Sequence, residues 1–136
     1  MKHDHAGLIR SLGEAYTAAW CSQDPDRVAA FYEEDGSLTV NEDPPAIGRA
    51  AIANVARGFM TGFPDMKVFL DRLVLENDGV IYHWTLTGTN NGPGGTGRKV
   101  HISGYEVWQL GAQGLIARSQ GHFDSVEYRR QLGTID

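Results

Sequence analysis

The chain changes its periodicity once, at Gly62-Phe63-Pro64-Asp65, and that break constrains its fold more than any other feature. Before it, apolar residues recur every three or four positions, the spacing of one helical face. Leu8, Ile9, Leu12, Tyr16, Ala19 and Trp20 form such a stripe and predict a helix over 5–21. Asp24-Pro25 supplies an N-cap and a proline at the first helical position. A short second helix should follow, carrying Val28, Ala29, Phe31 and Tyr32 and ending at Asp35-Gly36. Residues 37–40 read as a short strand and Asp43-Pro44-Pro45 as a loop. A third helix opens at Gly48, with Ile52, Val55, Ala56, Phe59 and Met60 on its buried side. Gly62 and Pro64 stop it.

After Pro64 four strand-like stretches follow, over 66–77, 79–90, 98–111 and 114–124. Asn77-Asp78-Gly79 and Gly111-Ala112-Gln113-Gly114 are hairpin signals. Residues 91–97, rich in glycine, read as a flexible connection. Helices first and an antiparallel meander second predict an α+β fold, with helices packed on one face of the sheet. A chain of 136 residues is one domain. It should span 1–136, with frayed ends at 1–6 and 134–136.

Composition excludes several classes. Apolar residues at 41% and charged residues at 21% belong to a globular chain. A net charge of −5 argues against nucleic acid as a partner. Cys21 is the single cysteine, so no internal disulfide forms; it reads as a small buried residue. No apolar run approaches a membrane span, and the N-terminus lacks the apolar core of a signal peptide. The expectation is a soluble, cytoplasmic protein without membrane contact.

Strand alternation sorts side chains into two faces. Val80, Tyr82, Trp84 and Leu86 share one face with Ile102, Gly104, Glu106, Trp108 and Leu110 of the next strand. That face is the more apolar and should meet the helices. In the last strand, Leu115, Ala117, Ser119, Gly121 and Phe123 correspond. Glu106 is then a lone carboxyl on an aromatic, apolar face. Burial should raise its pKa, which suits proton transfer to or from a small molecule. Tyr16 and Trp20, one helical turn apart, can reach the same face; Tyr16 is a candidate donor to a ligand oxygen. Asn41 ends the short strand and can orient a ligand, or can simply serve the turn. His83, His101 and His122 fall on the opposite face and His3 and His5 near the terminus. No metal-binding spacing involves the three strand histidines, so neither metal nor cofactor is expected.

Three motifs, GFPD at 62–65, GTNNGPGGTGRKV at 88–100 and FD…QLG ending at Gly133, appear in this order and spacing. Together they resemble the SnoaL-like polyketide cyclase family of the nuclear transport factor 2-like superfamily, over about residues 7–133. The resemblance implies a cone-shaped curved antiparallel (mixed) sheet closed by three N-terminal helices around a hydrophobic pocket, and a homodimer through the outer sheet face. That interface would hold Thr85, Thr87, His101, Ser103 and Tyr105. In such cyclases an aspartate acts as general acid and base three residues before the one matched by Asp124; that position is Gly121 here. The family's histidine falls at Trp108 and its glutamine at Glu106. The aspartate of the limonene epoxide hydrolases falls at Gly121 as well, and so is missing here too. The carboxylates of related steroid isomerases fall at Val40 or Asn41 and at Gly104; only their tyrosine is matched, by Tyr16. A bulge in the last strand would instead bring His122 or Asp124 inward.

Two readings therefore stand. One is a cofactor-free enzyme that cyclises, isomerises or hydrates a hydrophobic cyclic or aromatic metabolite. Its acid or base would be Glu106, with Tyr16 and Asn41 orienting. The other is a non-catalytic binder. In both, Trp20, Phe59, Tyr82, Trp84, Trp108, Gly121 and Phe123 would contact the ligand. An interaction module with a closed pocket is a third possibility.

Overall fold

The computed structural model describes residues 5–77 and 79–134. Asp78, at the centre of one hairpin signal, lies outside the described residues, as do His3 and the extreme ends. The first helix, α1 (His5–Cys21), buries Ile9, Tyr16, Ala19 and Trp20, while Leu8 points to solvent. In α2 (Pro25–Ala29), Asp24 caps the start by accepting the N–H of Asp26. This helix stops before Tyr32, sooner than the apolar spacing suggests. Tyr32 instead begins β1 (Tyr32–Val40) and pairs with Ile116, and its ring is completely buried. Tertiary pairing here overrides a weak local preference. The two-residue β2 (Ala46–Ile47) pairs with β1. In α3 (Arg49–Gly62), Ile52, Ala53, Ala56 and Met60 are buried.

Four strands follow: β3 (Lys67–Glu76), β4 (Gly79–Thr89), β5 (Lys99–Leu110) and β6 (Ile116–Phe123). They match the four expected stretches. A fourth helix, α4 (Ser125–Leu132), goes beyond what the sequence pattern predicts. Asp124 caps it, accepting the N–H of Glu127 at 3.0 Å, and Gly133 ends it in the left-handed region at φ 79°.

The sheet runs β2-β1-β6-β5-β4-β3. The architecture is α+β, but the cone-shaped sheet implied by the resemblance is not what forms. The six strands make an open sheet with β2 and β3 as its edges. Closure would require those edges to pair, and β3 pairs with β4 alone and β2 with β1 alone. The sheet is mixed as expected, because β1 runs parallel to β6. Helix α1 packs on β3, and α3 packs on β1 and on α2.

Two of the recognised motifs clasp each other. Asp65 accepts the N–H and hydroxyl of Thr89 at 2.7 and 2.8 Å. Asn90 donates to Gly62 O at 3.1 Å and accepts the N–H of Thr96 at 2.8 Å. Gly92 packs so closely on Thr61 that a Cβ there would overlap its carbonyl oxygen. The glycine-rich connection is thus pinned to the end of α3. Gln131, in α4, exchanges hydrogen bonds with the backbone of His101 at 2.7 and 3.0 Å.

Candidate functional site

The face assignments of β4 and β5 hold. Val80, Tyr82, Leu86, Ile102, Glu106 and Trp108 are buried. The start of β6 differs: Ile116, not Leu115, turns inward, because the β5–β6 register shifts between Gln109 and Leu110. This irregularity lies before Ser119, so the far end of β6 keeps its expected facing. His122 sits against Tyr105 on the other face, with ring centroids 5.0 Å apart. Neither His122 nor Asp124 reaches the cavity around Glu106.

Glu106 is 7% exposed. Its Oε1 accepts three hydrogen bonds, from the Tyr16 hydroxyl at 2.9 Å, Trp108 Nε1 at 2.9 Å and the Ser119 hydroxyl at 2.8 Å. Since Tyr16 donates to Glu106, the 2.8 Å bond between the Tyr16 and Tyr32 hydroxyls runs from Tyr32 to Tyr16. Burial pushes the Glu106 pKa up, against the downward pull of the bonds from Trp108, Ser119 and Tyr16. Burial, and then the nearby carboxylate, raise both tyrosines well above their ordinary range, so they remain donors. Tyr82 stacks on Trp108 at 4.9 Å and shares a 2.5 Å hydrogen bond with Thr17.

The other oxygen, Oε2, takes no hydrogen bond from the described residues, and Glu106 lines an apolar cavity of about 60 Å3. The cavity lies between the sheet and the helices. Of the seven expected ligand contacts it is lined by six: Trp20, Phe59, Tyr82, Trp84, Gly121 and Phe123. Trp108 is fully buried behind them and serves Glu106 instead. Tyr16 also lies outside the lining and touches Glu106 rather than open space. Asn41, in the left-handed region at φ 52°, accepts the backbone N–H of Phe123 at 2.9 Å and faces a separate outer cleft. Val40, Phe59, Phe123 and Tyr128 line both the cleft and the cavity, so they form the wall between them.

Sequence reasoning misses Ser119 and Tyr32 as partners of the carboxyl network, and Tyr128 in the cavity wall. Ser119 lies on the expected face but carries no motif. Helical spacing draws Tyr32 into α2, and Tyr128 belongs to α4, which the sequence pattern does not announce. Cys21 is exposed rather than buried, with its Sγ 3.2–3.3 Å from the backbone of Val68.

The profile of the SnoaL-like polyketide cyclases matches residues 10–132. The chain therefore belongs to the SnoaL-like family. No curated protein matches it in sequence. Its fold is similar to that of TsrD from Streptomyces laurentii, at 23% identity and a TM-score of 0.82, covering 95% of this chain and 97% of that one. It is similar to AclR from Streptomyces galilaeus, at 21% identity and a TM-score of 0.78, covering 93% and 96%. A hypothetical protein with a ketosteroid isomerase-like fold from Catenulispora acidiphila, solved in complex with trimethylamine, gives 15% identity and a TM-score of 0.80, covering 91% and 93%. No described helix is long and apolar enough to cross a membrane.

Proposed function

We propose that this SnoaL-like protein binds a small hydrophobic molecule in the cavity and moves a proton to or from it through Glu106 Oε2. One observation carries the reading. Three donors converge on Oε1, while Oε2 takes none of them, and Glu106 lines the cavity. The donors fix the carboxyl's orientation, and burial brings its pKa toward the range where a carboxyl can both take and return a proton. Tyr16, Trp108 and Ser119 are positioning residues in this account. Asn41 shapes the strand end that carries Phe123. That a similar fold holds trimethylamine supports uptake of a small molecule.

Among the cavity-lining residues Glu106 is the single carboxyl, and no histidine or lysine joins it. One acid–base group suits an isomerisation, in which the same oxygen removes a proton from one carbon and returns it to another. Hydration needs an activated water as well, and so fits less well. The absence of a second carboxyl, a histidine or a lysine from the lining is also what favours the alternative, a non-catalytic binder.

Cyclohexanone in deuterated water separates the two. As a base, Glu106 takes a proton from the carbon beside the carbonyl, leaving an enolate. After exchange of the carboxyl proton with solvent, a deuteron returns to that carbon. Wild-type protein should accelerate deuterium incorporation, and Glu106→Gln should abolish the acceleration while retaining binding. Equal rates in the two proteins would leave only the binder.

A further inference from the structure

We propose that the indole N–H groups of Trp20 and Trp84 are hydrogen-bond donors to the bound molecule. The cavity would then select a compound of about one ring that carries an oxygen acceptor, over a hydrocarbon of the same shape. The chain has three tryptophans. Trp108 gives its N–H to Glu106. Trp20 Nε1 and Trp84 Nε1 are buried and have no partner among the described residues. The Trp20 N–H lies near the Tyr16 hydroxyl and pulls that tyrosine's pKa down slightly against burial, but forms no hydrogen bond of normal geometry with it.

An unpartnered buried N–H is costly, and native interiors rarely keep one without reason. Here there are two, and both residues line the cavity that Glu106 lines. Trp20 is 8% exposed, so solvent does not satisfy it. The placement of Trp84 is built into the fold. It pairs across the strands with Gly104, and a Cβ at that glycine would lie 2.6 Å from Trp84 Cζ2. Phenylalanine would fill either position with an apolar ring and leave nothing unpaired.

The remaining lining is nearly all hydrocarbon, including Leu38, Val68, Leu86 and Ile102. The polar groups of the lining residues are the two indole N–H donors, the Glu106 carboxyl and the hydroxyls of Tyr82, which is bonded to Thr17, and of Tyr128. A carbonyl or ether oxygen satisfies a donor without bringing an N–H or O–H of its own that would need an acceptor. The volume limits the ligand too. About 60 Å3 is less than the roughly 150 Å3 of a cavity that takes up benzene. One ring therefore enters only as wall residues such as Phe59, Phe123 or Tyr128 turn toward the outer cleft.

The location of the ligand rests on the cavity reading above, but the donor role does not require Glu106 to move a proton. Indole 15N–1H resonances of the wild-type protein test it directly. They can be assigned with Trp20→Phe and Trp84→Phe. Cyclohexanone should move the Trp20 and Trp84 indole protons downfield in a saturable way. Methylenecyclohexane, which has the same shape and no oxygen, should not. Trp84→Phe should weaken cyclohexanone binding by about three- to tenfold, the scale of one hydrogen bond, and leave methylenecyclohexane unaffected. Equal shifts and affinities for the two compounds, or no binding of cyclohexanone, would overturn the proposal. Indole shifts without deuterium exchange would keep the donor assignment and remove the proton-transfer reading; exchange without indole shifts would do the reverse.

Discussion

Glu106 and Gly121 are direct partners across β5 and β6, and a Cβ on Gly121 would stand 3.6 Å from Glu106 Cγ. The carboxyl in this cavity is therefore one strand away from the position where the cyclase resemblance implies an aspartate. A Cβ would fit above Gly121 without overlap. Its nearest other neighbour, Thr39 O, would lie 3.4 Å from the added carbon, an ordinary contact.

This geometry predicts a functional exchange of positions. Gly121→Asp alone should set two carboxyls side by side and push the Glu106 pKa further up, since neighbouring like charges resist joint ionisation. In the double variant Glu106→Gln/Gly121→Asp, the new aspartate should restore part of the cyclohexanone deuterium exchange lost in Glu106→Gln. Exchange that stays at the Glu106→Gln level would show that the orientation imposed by Tyr16, Trp108 and Ser119 cannot be replaced from β6.

The raised pKa of Glu106 has a stability consequence with a definite sign. The folded state holds this proton to higher pH than the unfolded state does. Its contribution is thus favourable below the ordinary carboxylate range and is lost as pH rises through the folded pKa. Glu106→Gln removes the titration while leaving an amide oxygen for the three donors. The variant should melt at a higher temperature than wild type near neutral pH. The gap should close as pH falls toward the ordinary carboxylate range. Its size is about 1.4 kcal/mol for each tenfold difference in proton affinity between the folded and unfolded carboxyl. A gap independent of pH would mean that Glu106 titrates normally.

Tyr16→Phe removes one donor to Oε1 and leaves the Tyr32 hydroxyl without its acceptor. The loss should cost about 1–3 kcal/mol, the usual scale for a buried polar group left unpaired. It should also move the midpoint of the deuterium-exchange pH profile upward, because the Tyr16 bond holds the Glu106 pKa down. A merely structural tyrosine would change the melting temperature and leave that midpoint in place.

The fold was legible because its identifying motifs are structural. Asp65 and Asn90 are the two halves of a clasp between the end of α3 and the β4–β5 connection, so GFPD and GTNNGPGG report on the fold and carry no chemistry. Glu106 was legible from alternation alone, as a carboxyl on an apolar face. Its partners were less so. Tyr32 is far from Glu106 in the chain, and its helical spacing competes with a strand pairing that only the folded sheet supplies. Tyr128 is hidden in a helix whose apolar pattern is faint, since α4 buries no residue fully. The openness of the sheet depends on which edges meet, and side-chain pattern within a strand does not encode that.

The outer face of the sheet carries the last prediction, self-association. Thr85 bonds to Asp71 at 2.6 Å and to Ser103 at 2.7 Å, so part of its polar surface is satisfied within the chain. Phe69 and Tyr105 are 48% and 39% exposed. Phe69 lies opposite Thr85, which is opposite Ser103, and Tyr105 follows two positions along β5, so both rings occupy one face. Internally paired polar groups beside exposed aromatic rings fit an interface core, where aromatics are enriched and charges depleted. Light scattering at about 50 µM, a concentration suited to micromolar affinity, should give the mass of a homodimer. Phe69→Asp should place a charge in that interface and yield a folded monomer whose melting temperature no longer depends on protein concentration. A wild-type monomer at that concentration would show that this face has no partner in a second copy of the chain.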